Sequence, residues 1–212
     1  MSTIRSPAKK AEGRRQKVKG EPAWEVAYLF PPQGTWTESE YLDLPGNRLI
    51  ELANGFLEVL PMPTMSHQQI IAAFYEALVT FVRLGGLGTV LFAGLRVRLW
   101  KGTIREPDVV FMLAEHADRM GEEYWQGADL VMEVVSGSKK DRQRDLETKV
   151  AEYARARISE YWIVDPAQAQ VTVLRLKGRK YAVHGRHGRG GRARSALLKG
   201  FEVDVDAILS GK

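Results

Sequence analysis

The sequence contains no cysteine among its 212 residues. Disulfide bonds, thiolate zinc sites and cysteine nucleophiles are therefore excluded, which agrees with a reducing cytoplasm. No apolar run approaches the roughly 18 residues that a membrane-spanning helix requires. The basic first twenty residues also lack the apolar middle region of a secretory signal. We therefore expect a cytoplasmic protein without a membrane partner.

Several catalytic motifs are missing as well. Gly85, Gly86 and Gly88 do not complete the G-x-G-x-x-G fingerprint of dinucleotide-binding folds, and no Walker P-loop is present. Ser136 stands in VSGS, which lacks the G-x-S-x-G elbow of serine hydrolases. Functions that use a nucleotide cofactor, NTP hydrolysis or a serine nucleophile are therefore not predicted.

The net charge of +5 conceals a strong segregation of charge. Residues 1 to 20 and residues 170 to 200 are strongly basic, whereas residues 21 to 169 carry a net charge of −8. This pattern predicts positive segments that bind a polyanion around an acidic centre that binds a cation. We predict a disordered basic tail over residues 1 to 20, with a merely solubilising role as the alternative, and one domain over residues 21 to 212.

Three segments show helical signals. TWTESEYLDLP, with Thr35 and Thr37 as candidate caps, predicts a short helix. SHQQIIAAFYEALVTFVRLGG, with Ser66 as its candidate N-cap and a glycine pair at its end, predicts a long one. KKDRQRDLETKVAEYARARI predicts a third helix. We expect this helix to face the core through an apolar stripe formed by Leu146, Val150 and Ala154.

Strand signals fill most of the remaining sequence. RLIELANGFLEVLP predicts a hairpin that turns at Asn54 and Gly55. The other predicted strands are GTVLFAGLRVRLWKG, TIREPDVVFMLAE, ADLVMEVVS and SEYWIVDP, followed by a hairpin of VTVLRLKG and RKYAVHG. The order of these elements predicts an α/β fold of the mixed α+β kind, in which a mixed β-sheet is flanked by helices.

Two of the predicted buried strands carry a carboxylate directly beside or within their apolar run, Asp108 and Glu133. Ionised acids are almost never fully buried without a partner. Two such acids on neighbouring strands repel each other unless a proton or a cation lies between them, and oxygen-only ligation suits Mg²⁺ (or Mn²⁺) rather than zinc. The backbone carbonyl of Val134 or Val135 is a further hard donor, so we predict metal ligands at Asp108, Glu133 and Val134.

Lys149 adds a positive charge beside this predicted metal site. Asp145 and Lys149 share one stripe of the third helix, next to its apolar stripe, so Lys149 can point back toward the sheet. A lysine at that place is explained if a water is oriented for attack on a phosphate, whose negative charge grows in the transition state. The pattern predicts metal-assisted phosphodiester hydrolysis. The alternatives are strand-end acids paired with Arg105 or Arg142, and a solvated Lys149.

These residues resemble a known family. The pieces that carry the resemblance are Glu51 in LIELANG, His67 in PTMSHQQI, Pro107-Asp108, Glu133 in EVVS, Asp145 with Lys149, and EYWIVDP. They are similar to the Uma-two (Uma2) family of bacterial endonucleases, within the PD-(D/E)XK restriction-endonuclease-like superfamily, from about Thr37 to about Leu209. The resemblance implies a mixed sheet flanked by helices, a divalent metal and often a homodimer.

The resemblance also implies roles for individual residues. Asp108 and Glu133 answer to the two acids of the motif as metal ligands. The lysine of the motif is expected two residues after the second acid, where this chain has Val135, so Lys149 on the following helix is the implied replacement. Glu51 is implied as an additional ligand or water-orienting acid. A cross-strand ion pair with Arg48 or an exposed hairpin position is the alternative for Glu51.

Three further features complete the predicted site. Tyr153, one turn after Lys149, is expected to line it, and His67 is a catalyst or a local hydrogen-bonding residue. The segment GRHGRGGRAR predicts an irregular basic loop, which either binds phosphate or is a solvated connection. Its arginines are the candidate nucleic-acid contacts: Arg186, Arg189, Arg192 and Arg194.

The predicted function follows from these residues together. We expect an Mg²⁺-dependent endonuclease that cuts DNA as a homodimer, with Asp108, Glu133, Lys149 and Glu51 as its catalytic residues. The alternative is a catalytically inactive nucleic-acid-binding or protein-interaction module that keeps the same fold.

Overall fold

The structure, a computed structural model, describes residues 31 to 44 and 49 to 211. The predicted basic tail over residues 1 to 20 lies outside these described residues. Helix α1 (Glu38–Leu42) begins after Thr37, whose hydroxyl accepts a bond from the backbone N–H of Glu40, while the Glu40 carboxylate accepts one from the backbone N–H of Thr37. This reciprocal capping box satisfies two N–H groups, so the short helix and one of its two candidate caps are confirmed.

The long helix α2 (Met65–Gly85) begins earlier than the sequence predicted. Its N-cap is Thr64, whose extended backbone lets the side-chain oxygen accept from the backbone N–H of His67 at 3.2 Å. The prediction of Ser66 as the cap is therefore wrong, because the helix has already begun at that residue. The predicted end is confirmed, since Gly86 adopts the left-handed conformation with φ of 60°.

The described strands form two large sheets and one small one. The first large sheet contains β1 (Ile50–Ala53), β2 (Phe56–Val59), β4 (Val97–Trp100), β5 (Thr103–Arg105) and β7 (Trp125–Gln126), in the order β2-β1-β5-β4-β7. The second contains β3 (Gly88–Phe92), β6 (Val109–Leu113), β8 (Leu130–Val134), β9 (Glu160–Asp165), β10 (Gln170–Lys177) and β11 (Lys180–His187), in the order β11-β10-β9-β8-β6-β3. The small sheet pairs β12 (Arg192–Arg194) with β13 (Glu202–Asp204).

The remaining helical segments are short. They are a 3₁₀ segment (Ala114–Arg119), α3 (Lys139–Gln143), a π-helical turn (Arg144–Thr148), α4 (Lys149–Arg155) and α5 (Val205–Ser210). None of the helices in the described part of the chain combines the length and the apolar character that a membrane crossing needs.

The six-stranded sheet is covered on both faces, which explains why its central strands are almost continuously apolar. Val109 and Phe111 of β6 pack with α2, whereas Val110 and Met112 pack with Tyr153 of α4 on the opposite face. Side chains alternate between the faces of a strand. The acids of the two segments therefore fall on the α4 face, because Asp108 shares the parity of Val110, and Glu133 that of Val131.

Two predicted strands are each divided in the structure. GTVLFAGLRVRLWKG forms β3 and β4, and TIREPDVVFMLAE forms β5 and β6, with one half of each in each large sheet. Gly94, at φ of 97°, turns the chain between the first two halves. Pro107 separates the second two, because it has no N–H for a ladder bond. The prediction of two continuous strands is wrong, and the break places Glu106 and Asp108 between the sheets.

The third helix contradicts the predicted core stripe. Leu146 is 39% exposed and Val150 is only half-buried, whereas Asp145, Lys149 and Tyr153 are buried. The polar stripe faces the sheet because its charged groups have partners there. Of the three residues predicted to face the core, only Ala154 is buried.

The pairing of β3 with β6 generates a prediction about Gly88. Gly88 has φ of 152°, and a Cβ atom there would lie 2.0 Å from the carbonyl oxygen of Met112. Gly94, at φ of 97°, has no atom within 4 Å of the same position. Gly94→Ala should cost about 1–2 kcal/mol through backbone strain alone. Gly88→Ala should cost roughly 3 kcal/mol or more, because the two strands must also separate.

Urea unfolding of the two variants beside the parent measures this difference. A loss of stability that is equal in both would contradict the close approach of Gly88 to β6.

Candidate active site

A cleft with about 540 Å³ of empty space opens between the segment after β2, the start of α2, the end of β8 and the π-helical turn. Four of the residues predicted as catalytic residues or metal ligands line it, together with His67: Asp108, Glu133, Val134 and Lys149. The last β6–β8 register pair is Val109 with Met132, so the next position places Asp108 opposite Glu133. The predicted proximity of the two strand acids is therefore a feature of the fold.

Glu133 receives two hydrogen bonds from α4. Lys149 Nζ donates to Glu133 Oε1 at 2.8 Å, and the Tyr153 hydroxyl donates to the same oxygen at 2.5 Å. Residues 149 and 153 lie one helical turn apart, so one face of α4 supplies both donors. The other oxygen, Oε2, accepts no hydrogen bond from the described residues, which leaves it available at the cleft.

Glu51 completes the surroundings of the lysine from β1 of the other sheet. Its side chain is fully buried, and Glu51 Oε1 lies 3.4 Å from Lys149 Nζ. Arg105 Nη1 donates to Glu51 Oε2 at 2.9 Å, and the backbone N–H of Glu106 donates to Oε1 at 3.0 Å. Both Glu51 oxygens are thus engaged within the protein. An exposed hairpin position is excluded, and Arg48 lies outside the described residues.

Asp108 is held at the cleft by two different donors. Its Oδ2 accepts from the backbone N–H of Val134 at 2.7 Å, and its Oδ1 lies 3.1 Å from Nε2 of His67. His67 therefore bonds beyond its own helical turn, to a predicted metal ligand. Val134 contacts the predicted ligand through its N–H, so its carbonyl remains a separate candidate donor.

The two arginine alternatives for the strand acids are not found. Arg105 bonds Glu51, Glu58 and Glu152, and Arg142 bonds Asp165. The alternative of a solvated Lys149 is likewise excluded, because its side chain is only 2% exposed.

Acids outnumber bases around the lysine. The acids are Glu106, Asp108, Glu133 and Asp145 in the cleft, with Glu51 3.4 Å from Lys149. The cations are Lys149 and Arg144 in the cleft, with Arg105 paired to Glu51. Burial and the neighbouring carboxylates, against the opposing effect of Lys149, together raise the pKa of Glu133 to about 8. Burial disfavours the charge of Lys149, but Glu133 and Glu51 outweigh it and raise the pKa of the ammonium group. Lys149 is therefore charged, and carboxylates still outnumber cations around it.

The donor set fits a hard cation that keeps part of its water. Among the described residues, no group of three or more His, Asp or Glu side chains is arranged to hold a metal ion. Asp108 and Glu133 nevertheless present carboxylate oxygens to one cleft, and Mg²⁺ is commonly bound through one or two carboxylates with several waters. These two side chains and the Val134 carbonyl are the residues that would hold it.

Sequence reasoning missed the roles of two residues that organise this site, one of them named only as a possible partner of Asp108 or Glu133. Arg105 is 1% exposed and holds Glu51, yet its position at the end of β5 carries no motif of its own. Glu106 is buried beside Tyr41, whose hydroxyl donates to it at 3.3 Å. The sequence did contain a signal for Glu106, because an acid inside a predicted buried strand needs a partner.

The predicted nucleic-acid contacts lie elsewhere on the chain. Arg186 is on β11, Arg192 and Arg194 are on β12, and only Arg189 is in the connecting turn. The prediction of an irregular loop is wrong for most of this segment, because β11 continues to His187 and a small sheet follows. None of the four arginines is among the residues that line the acidic cleft.

The mixed α/β fold, with helices that flank its sheets, is similar to a nuclease-like fold seen in a solved structure. A crystal structure from Anabaena variabilis, of "a putative nuclease belonging to DUF820", matches with a TM-score of 0.67 and 16% sequence identity. The match covers 83% of this chain and 98% of that chain. At this identity the likeness concerns the fold, and the predicted mixed α/β fold with flanking helices is confirmed.

The family follows from the sequence. The Uma2 family, described as "Putative restriction endonuclease", matches residues 38–206. The chain therefore belongs to the Uma2 family, and the resemblance stated from its motifs is confirmed. Among curated proteins, none matches the chain.

The buried acid Glu106 generates a prediction about pH. Burial and the charge of Glu51 raise the pKa of Glu106 to about 7, from the ordinary glutamate value of 4.5. The folded state therefore binds a proton that the unfolded state releases, and stability falls as the pH rises from about 4.5 to about 7. Glu106→Gln removes this loss. Its free energy of unfolding, relative to the parent, should rise across that window by roughly 1–3 kcal/mol and stay constant above it.

Denaturant unfolding at pH 4.5, 6 and 8 measures the change, and the matched control is Glu76→Gln on the exposed face of α2. A difference between Glu106→Gln and the parent that does not vary with pH would refute the prediction.

Proposed function

We propose that the chain is a metal-dependent endonuclease that hydrolyses DNA phosphodiester bonds. The observation that carries the proposal is the convergence of Glu133, Asp108 and Lys149 in one cleft, with the ammonium group 2.8 Å from Glu133. Two acids from adjacent strands beside a lysine form the set that phosphodiester hydrolysis requires. The family description agrees with this reaction class.

The metal proposed for this cleft is Mg²⁺ (or Mn²⁺). Asp108, Glu133 and the Val134 carbonyl would hold it, and the surplus of carboxylates over cations in the cleft supports a cation there. When bound, such an ion supplies a water of lowered pKa and stabilises negative charge on a phosphoryl oxygen.

Lys149 acts as a charged donor in this proposal. Its raised pKa keeps the ammonium group protonated, so it orients a water or a phosphate oxygen and does not accept a proton. An ammonium group has three N–H donors, and Glu133 and Glu51 occupy at most two of them. The remaining donor is available to a water or a phosphate oxygen. Glu51, whose oxygens are engaged by Arg105 and by backbone, positions the lysine.

The proposed substrate contacts and assembly extend beyond the cleft. Arg186, Arg189, Arg192 and Arg194 are proposed to neutralise backbone phosphates of DNA. Cutting both strands of a duplex favours a symmetric pair of active sites, so the proposed enzyme works as a cytoplasmic homodimer.

A catalytically inactive nucleic-acid-binding module is the second candidate. The observation that favours it is the lack, within the described residues, of three His, Asp or Glu side chains grouped to hold a metal. An inactive module would keep the buried ion pairs as structural contacts alone.

Substitution of the lysine tests the proposed activity directly. Lys149→Met removes the charged donor, and Asp108→Asn keeps an acceptor for the Val134 N–H while removing the charge. Each should lower the rate of plasmid cleavage in Mg²⁺ or Mn²⁺ by about 100-fold or more. Lys199→Met, at an exposed position, is the control and should cleave like the parent. Equal cleavage by all four proteins, or no cleavage by the parent, would refute the nuclease proposal.

Metal binding is tested separately from cleavage. A ligand that binds only the folded state stabilises it by about 2.7 kcal/mol at a concentration 100 times the dissociation constant. Mn²⁺ should therefore raise the thermal midpoint of the parent and of Glu76→Gln, and should raise that of Asp108→Asn much less. Thermal unfolding with Mn²⁺ and with EDTA measures this. An identical Mn²⁺ shift in Asp108→Asn would show that the ion binds elsewhere.

A further inference from the structure

A second cleft of opposite charge lies where β4, the end of the 3₁₀ segment, β7 and the end of α4 meet. It has about 690 Å³ of empty space, and no acidic side chain lines it. Four basic residues do: Arg98, Lys101, Arg119 and Arg157. The acidic cleft, with Lys149 at the start of α4, uses none of them.

The charge of this cleft is poorly neutralised. Arg98 Nε pairs with Glu38 Oε1 at 2.9 Å, and the same oxygen accepts from the backbone N–H of Gly102. Lys101, Arg119 and Arg157 form no ion pair with any residue in the described ranges. Arg157 donates only to the carbonyl oxygen of Gly178, which is neutral. One acid therefore faces a cluster of four cations.

Two of the arginines at this cleft stack on aromatic rings. Arg98 is paired with Gln126 in the parallel contact of β4 with β7, and its guanidinium lies 5.9 Å from the ring centre of Tyr124. Trp100, which also lines the cleft, carries the guanidinium of Arg155 at 4.1 Å from its ring centre. A fifth cation is thus held at the edge of the cleft, and stacking on the two rings limits the freedom of both arginines.

The arginines predicted from the sequence to bind nucleic acid differ in this respect. Arg189 pairs with Asp206 at 3.0 Å, and Arg192 and Arg194 each pair with Glu202 at 2.8 Å. Three of those four positive charges have acid partners in the protein. The second cleft therefore has more positive charge without an acidic partner in the protein, and it is the better candidate to bind an external anion.

We propose that this second cleft is a binding site for a phosphate group, either in a nucleic-acid backbone or in a small free phosphate. Guanidinium forks match the oxygen geometry of phosphate, and several of them around one concave surface favour a multiply charged oxyanion. Lys149 is the first residue of α4, and Arg157 lies two residues after its end at Arg155, so about 9 Å of helix axis separates the two clefts. A nucleic acid with one phosphate at the acidic cleft has further phosphates close enough to reach the second cleft. This use of the second cleft rests on the proposed function. The phosphate site itself does not.

The test measures binding without cleavage. The full chain is kept in EDTA, a labelled short DNA duplex is followed by fluorescence anisotropy, and inorganic phosphate is titrated by calorimetry. Lys101→Ala/Arg119→Ala removes two unpaired cations from the cleft. Arg83→Ala/Lys139→Ala makes the same change of charge at exposed positions outside it, and thermal unfolding establishes that both variants fold.

The cleft variant should bind the duplex about tenfold more weakly, and its slope of log affinity against log salt should shrink by roughly two, while the control stays near the parent. This result assigns the site to the nucleic-acid backbone. Loss of inorganic phosphate binding alone in the cleft variant assigns it to a free phosphate. Equal binding of both probes by the two variants, or no binding of either probe by the parent, overturns the proposal.

The two proposals fail in different ways. A parent that does not cleave DNA, but whose anion binding depends on Lys101 and Arg119, refutes the nuclease function and leaves the phosphate site standing. A parent that cleaves DNA, with both double variants binding alike, refutes the phosphate site alone.

Discussion

The site is organised by a buried ammonium group held between carboxylates of two sheets. Lys149 on α4 lies 2.8 Å from Glu133 of the six-stranded sheet and 3.4 Å from Glu51 of the five-stranded sheet. Removing a charged group from water costs several kcal/mol unless its partners are placed well. The folded state is therefore favoured only when α4, β8 and β1 meet in this arrangement, and the cleft takes its form from that requirement.

Arg105 extends the same constraint. Glu51 is fully buried between two cations, and the guanidinium that holds it also bonds Glu58 of β2 and Glu152 of α4. Removing one partner of such a network leaves the others uncompensated, which typically costs 3–5 kcal/mol. Well-packed apolar residues would often stabilise a fold as well as buried ion pairs do. Charges that are buried and still reach a cleft are therefore better explained by the chemistry proposed for that cleft.

Much of this arrangement was predictable, because it depends on local rules. Asp108 and Glu133 share a face through the two-residue period of neighbouring strands, and Tyr153 follows Lys149 by one turn. The core stripe of the third helix was not predictable from periodicity, since Leu146 is exposed while Asp145 is buried. Which stripe faces the sheet depends on partners such as Glu133 and Glu51, which are distant in sequence. Arg105 was missed for the same reason, as its three acids come from three other elements.

The proposed nuclease would use two clefts of opposite charge, one acidic and one basic. A cleft with four acids repels a phosphodiester, so the substrate needs a cation in the site and an attraction that acts from outside it. The cluster of Arg98, Lys101, Arg119 and Arg157 supplies such an attraction at the far end of the segment that holds Lys149. Cations at a helix C-terminus are also favoured by the helix dipole. In the two proposals, opposite charges at the two ends of α4 separate the binding of the anion from the chemistry at the acids, because the charge that suits one of these tasks opposes the other.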